Sequence, residues 1–170
     1  MQDVKRTEHI LRHRLIQEVE YYTDKSGELA LLDCSSLMTF IKDRNNDLYD
    51  RNNALRAFAY HDDFSKFENE LMVLFSDNDS ESSIVFYSAI LLALLGNSIV
   101  SDYLFLYLHA GKTDTSEAEF KKEHEKIFMT SSGYEAGMAI LALENLGFEI
   151  PDRNKYHVLR FVDPDYREES

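Results

Sequence analysis

The pairing in this chain with the strongest claim to chemistry is His61-Asp62. An imidazole and a carboxylate side by side can hold a divalent metal, and a metal held that way activates water for hydrolysis. Such a centre needs further ligands. His9 and His13 are spaced to share one face of a helix, but beside Arg12 and Arg14 they read as a surface pair. The run Asp77-Asn78-Asp79-Ser80-Glu81 opens like a calcium loop. An EF-hand needs Gly at its sixth position and Glu at its twelfth, and Ser82 and Ser88 stand there instead. His124-Glu125 is followed by Phe128 where a zincin carries its second His. Neither a Gly-rich phosphate loop nor a Gly-x-Ser-x-Gly elbow is present. Cys34, the single cysteine, has no sequence neighbour that would lower its pKa and reads as a buried, inert thiol.

The order His, His-Asp, Asp resembles that of the HD-type metal phosphohydrolases, which are all-α. The resemblance rests on His61 and Asp62 and implies a divalent-metal phosphohydrolase in which His9 or His13 would stand first and Asp102 or Asp114 last. The same residues have a simpler reading. Asp62 or Asp63 caps the helix that follows, accepting its unpaired backbone N–H groups, and His61 is a loop residue. The expectation is therefore no catalytic residue, no bound metal and no cofactor.

The chain's charge points elsewhere. It carries 31 acidic against 18 basic residues, a net charge of −13. Such an excess bears on partner choice and steering rather than on fold. From Asp62 to Glu81 there are seven carboxylates and one Lys66. Within that stretch Phe64, Phe67, Leu71 and Leu74 repeat with helical spacing, which would set Asp63, Glu70 and Asp77 on the opposite face as a negative stripe. A stripe of that kind speeds capture of a positive partner and fixes its orientation. Tyr21, Tyr22, Tyr49, Tyr60, Tyr103 and Tyr107 offer interface anchors, since Tyr buries a large apolar area while its hydroxyl still finds a partner. The candidate partner-binding residues are Tyr60, Asp62, Asp63, Glu70, Asp77, Asp79 and Glu81.

These features describe a non-catalytic, acidic inhibitor or immunity-type protein that neutralises a basic toxin or nuclease by occlusion and charge complementarity. An acidic DNA mimic, a scaffold, or a homodimer built on apolar residues 84–109 are the other binding classes. Direct nucleic-acid contact is not expected, because Lys5, Arg6, Arg12 and Arg14 form the one basic group and acidic neighbours dilute it.

The elements that must carry these residues are helices. Length predicts a single domain over 1–170, and a 44% hydrophobic content suffices for a core without disulfides. Leu11, Leu15, Val19 and Tyr22 predict a helix over about 4–23; Leu31, Cys34, Met38 and Ile41 a second; Leu48, Leu55 and Phe58 a weaker third over about 47–60. Two helices apolar on nearly every side, about 81–95 and 98–109, read as a central pair, with Gly96 and Gly111 as stops. Ser116 and Glu119 fit a capping box for a helix facing inward through Phe120, Ile127 and Phe128. A last helix with Tyr134, Met138 and Leu141 closes at Gly147 before Pro151. A short extended segment near 156–162 and a frayed tail over 163–170 complete an all-α bundle or irregular array of seven to eight helices. The longest apolar run, Ile84 to Leu95, is too short to span a membrane, and the single cysteine suits a reducing, cytoplasmic setting.

Overall fold

The computed structural model describes residues 4–21, 28–110 and 133–150. Expectations for the capping box at 116–119, for His124-Glu125, for Asp114 and for the tail beyond 150 lie outside these residues. The described chain is all-α. Its elements are α1 (Val4–Tyr21), α2 (Cys34–Lys42), α3 (Leu48–Arg56), α4 (Glu68–Ser76), α5 (Ser82–Leu94), α6 (Ser101–Ala110) and α7 (Gly133–Asn145). Tight 3₁₀ turns at Ala57–Tyr60, Phe64–Phe67 and Ser98–Val100 join several of them.

In α1, Leu11, Leu15 and Val19 are fully buried and His9, His13, Gln17 and Glu20 are exposed, which is the amphipathic pattern expected. Helix α2 begins later than the apolar spacing suggests. Asp33 is extended and its carboxylate accepts from Ser36 N at 2.8 Å, so the cap sets the start at Cys34. Leu31 is left outside the helix and is 87% exposed. The connection before α4 also differs from expectation. Asp63 stands at the capping position of the Phe64–Phe67 turn but its side chain accepts no hydrogen bond there, and α4 itself starts at Glu68 without a side-chain cap.

Helix α5 runs through the centre: Ile84 and every residue from Phe86 to Leu94 are buried. It is flanked by α3, α4 and α7. Helix α6 belongs to the apolar interior through Leu104 and Tyr107, yet it meets α5 only briefly and leans mainly on α7. Helices α5 and α7 end in the same way. The Asn97 N–H reaches Leu92 O at 2.9 Å and the Phe148 N–H reaches Leu143 O at 3.1 Å, while Gly96 and Gly147 take the positive φ that closes each helix.

The third helix, weakly marked in the sequence, is the most enclosed. Every residue from Arg51 to Ala59 is buried, including Arg51, Asn52, Asn53 and Arg56. Arg56 lies among three helices. Its Nε is 2.6 Å from Glu18 Oε2 of α1, its Nη1 donates to Asn53 Oδ1 at 2.6 Å, and its Nη2 donates to Tyr87 OH of α5 at 2.8 Å. The Tyr87 hydroxyl in turn donates to Glu18 Oε2 at 3.2 Å. The guanidinium also lies 4.3 Å over the Tyr87 ring. Burial works against the charge on Arg56, but the Tyr87 and Glu18 side chains outweigh it and hold the guanidinium protonated. Burial likewise pushes the Tyr87 hydroxyl upward, so it stays a donor.

Removing one partner of a buried ion pair strands the other, at a cost of roughly 3–5 kcal/mol. Arg56→Ala should therefore reduce the free energy of unfolding by about 3–5 kcal/mol, read as a lower denaturant midpoint at unchanged slope. A midpoint equal to that of the unaltered protein would show that Glu18 does not depend on this partner.

Candidate functional site

Two loops meet at one end of the molecule. The α2–α3 connection carries Asp43, Arg44, Asp47 and, just inside α3, Asp50; the α4–α5 connection carries Asp77, Asp79 and Glu81. Short polar side chains shape both loops. Asp43 accepts from Asn45 N at 3.0 Å, Asp47 from Tyr49 N at 2.8 Å and Asp77 from Asp79 N at 2.9 Å.

Arg44 ties one loop to the other, while Lys42 and Arg51 link the helices beside them. Lys42 Nζ is 2.7 Å from Glu70 Oε2, Arg44 Nη2 donates to Asp79 O at 3.1 Å, and Arg51 Nη1 donates to Glu81 Oε1 at 3.0 Å. The buried Arg51 also donates from Nε to Ile41 O at 2.8 Å, near the C-terminus of α2. Burial disfavours ionisation of Glu81, but the hydrogen bond from Arg51 prevails and holds its carboxyl below the ordinary 4.5. The two loops and the start of α3 carry Asp43, Asp47, Asp50, Asp77, Asp79 and Glu81 against Arg44 and Arg51, an excess of four negative charges.

Apolar surface is exposed at the same end. Tyr49, on the first turn of α3, is 76% exposed, and Leu48 and, on α4, Val73 are exposed as well. A solvent-facing tyrosine on a rigid helix within an acidic surround is suited to anchor a cationic partner.

The residues singled out in the sequence fall into two groups. Asp77, Asp79 and Glu81 gather at this end, and Glu70 stands on the first turn of α4. Glu70 and Glu81 are engaged by the chain's own cations, while Asp77 and Asp79 are exposed. Tyr60, Asp62 and Asp63 lie toward the other end of α2, on the order of 12 Å away along a helix of this length. The expected stripe of Asp63, Glu70 and Asp77 is broken because residues 64–67 form a 3₁₀ turn rather than one continuous helix. Tyr60 OH is directed to Glu20 at 3.5 Å, and burial first, then that carboxylate, raises its pKa. Asp62 is exposed, with Arg12 Nη1 3.9 Å away. Asp43, Asp47 and Arg44 are not among the residues that sequence spacing singles out, and Tyr49 is one of six tyrosines offered as interface anchors. The signal was there in Asp47-Leu48-Tyr49-Asp50, an aromatic flanked by carboxylates.

At the second location His61 does not pair with Asp62. Its Nε2 donates to Leu32 O at 2.9 Å, and Asp63 rather than Asp62 lies with it, beside Cys34. Cys34 Sγ donates to Asp63 Oδ1 at 4.0 Å. Among the described residues, Cys34, His61 and Asp63 are the group of three whose donor atoms converge as metal ligands do. His9 and His13 stack on each other at 6.1 Å on α1, and Asp102 is exposed on α6; neither joins that group. No helix of the described residues is long and apolar enough to cross a membrane.

No protein-family model, curated protein or solved structure gives a significant match to this chain.

Two properties of these sites can be measured directly. A carboxyl whose pKa is depressed on folding adds stability above its unfolded value and loses it as pH falls through the folded one. Glu81→Gln should therefore reduce stability at neutral pH and flatten its decline below pH 4.5, as read from melts across the acid range. Burial first, and then Asp63 and Asp33, push the Cys34 thiol up to about 11. In chelator-treated native protein Cys34 should resist alkylation at neutral pH and react readily once the chain is denatured; equal rates in the two states would contradict that environment.

Proposed function

We propose that this protein is a non-catalytic binding protein whose acidic end occludes a basic protein, in the manner of an inhibitor or immunity protein. The observation that carries the reading is the joining of two carboxylate-rich loops by Arg44 and Arg51, with the exposed Tyr49 on the first turn of α3 directly after one of them. The residual negative charge provides long-range attraction, and Tyr49 provides a short-range anchor. Since the chain's own cations neutralise part of the carboxylate set, recognition falls to Asp43, Asp47, Asp77 and Asp79 together with Tyr49, not to the whole acidic segment. Their exposure supports this role: Asp43, Asp47, Asp77 and Asp79 all face solvent. The carboxylates would stand where a basic enzyme expects substrate phosphates.

The test is direct mixing with a strongly basic protein encoded beside this gene. The expected result is a 1:1 complex whose affinity falls as salt rises. Tyr49→Ala should weaken it by at least about 2 kcal/mol, as for an interface hot spot, mostly through faster dissociation. Paired Asp47→Asn and Asp77→Asn changes should slow association and reduce its salt dependence. Binding that ignores both salt and Tyr49→Ala, or no complex at all, would overturn the reading.

A further inference from the structure

Cys34 and the His61–Asp63 connection are distant in sequence but converge at the N-terminus of α2. Sγ of Cys34, a ring nitrogen of His61 and a carboxylate oxygen of Asp63 all lie within 4.8 Å of one another. We propose that these three side chains bind one divalent transition-metal ion of borderline softness, with Zn²⁺ the best fit, and that the ion clamps the connection to α2.

The donor set selects the ion. Magnesium and calcium take oxygen ligands, whereas one sulfur, one nitrogen and one oxygen match zinc and its neighbours. The sulfur-to-oxygen spacing is close to what such an ion demands. Bond lengths of about 2.3 Å to sulfur and about 2.1 Å to oxygen place those two atoms about 3.6 Å apart in a tetrahedron. They are 4.0 Å apart here. Asp63 is exposed, so its carboxylate can close the difference by a small side-chain rotation.

Outer contacts prepare the ligands. A carbonyl can only accept, so the 2.9 Å contact with Leu32 O places a hydrogen on His61 Nε2, and in the neutral imidazole Nδ1 then carries the lone pair a metal would take. A ligating histidine characteristically donates its second N–H in this way. Arg12 Nη1 donates to Ala59 O and to His61 O, each at 3.2 Å, and its guanidinium lies 5.2 Å from the centre of the Phe64 ring. Arg12 thereby holds the backbone that presents His61 and Asp63.

Binding exchanges a proton for the metal. The Cys34 S–H bond breaks, the proton passes to solvent, and the thiolate takes a bond to Zn²⁺; no electron is transferred. Water completes the fourth position. The site is separate from the acidic end and does not rest on the function proposed for it. Two carboxylates, Asp33 and Asp63, lie near the thiol and would offset the positive charge of the ion.

The test uses the full chain after chelator treatment, titrated with Zn²⁺ against a chromophoric competitor and separately with Co²⁺. The expected result is one ion per chain, a rise in melting temperature with metal, and a thiolate-to-cobalt charge-transfer band. Cys34→Ser should abolish the band, and His61→Ala or Asp63→Asn should weaken Zn²⁺ binding by about 10-fold or more. Asp63 is exposed, so Asp63→Asn serves as the variant that leaves the fold intact. Zn²⁺ binding unchanged in Cys34→Ser and lost in a His9→Ala, His13→Ala variant would overturn the proposal, as would the absence of stoichiometric binding by the unaltered chain.

Discussion

The charged contact between Arg56 and Glu18 governs how the helices of this protein come together. A guanidinium cannot shed its charge inside a protein, so burying one obliges the surroundings to supply acceptors. Glu18 arrives from α1, Asn53 from the same helix as Arg56, and Tyr87 from α5. Satisfying them together fixes three helices in relative rotation as well as in distance. Apolar packing alone is less exacting, because hydrophobic surfaces tolerate small slides that a short hydrogen bond does not. The interior around α5 is almost wholly aliphatic and aromatic, and the polar cluster gives it a register.

Those parts of the fold that follow from local rules were legible in the sequence. The Leu11, Leu15 and Val19 stripe of α1, the unbroken apolar run of α5 and the glycine stops at Gly96 and Gly147 each encode their structure within a turn or two of chain. Helix α3 was harder to read. Arg51, Asn52, Asn53 and Arg56 look like a solvent face in sequence, because burial of a polar side chain is decided by partners 10 to 38 residues away. The start of α2 was misplaced for a smaller reason: Asp33 captures the Ser36 amide, and a cap prevails over one more apolar residue at Leu31.

The same distinction separates the visible and hidden parts of the candidate sites. Counting carboxylates between Asp62 and Glu81 located an acidic region but could not apportion it. Which acids remain available to a partner depends on Lys42, Arg44 and Arg51, all from another stretch of chain. The His61-Asp62 dipeptide drew notice for its chemistry, yet in three dimensions His61 associates with Asp63 and Cys34. Adjacent residues need not point to the same place, and a bend after Tyr60 is enough to exchange one aspartate for its neighbour. Arg12, 47 and 49 residues away, holds that bend by gripping the Ala59 and His61 carbonyls on either side of Tyr60.

Arg51 connects the interior with the surface. It is buried, it ends on Glu81, and it takes the Ile41 carbonyl as well, so the loops at the acidic end inherit their shape from the core. A surface already stiffened in this way surrenders little conformational entropy when another molecule covers it. A partner docking there would meet a pre-cut key rather than a flexible arm that moulds around it.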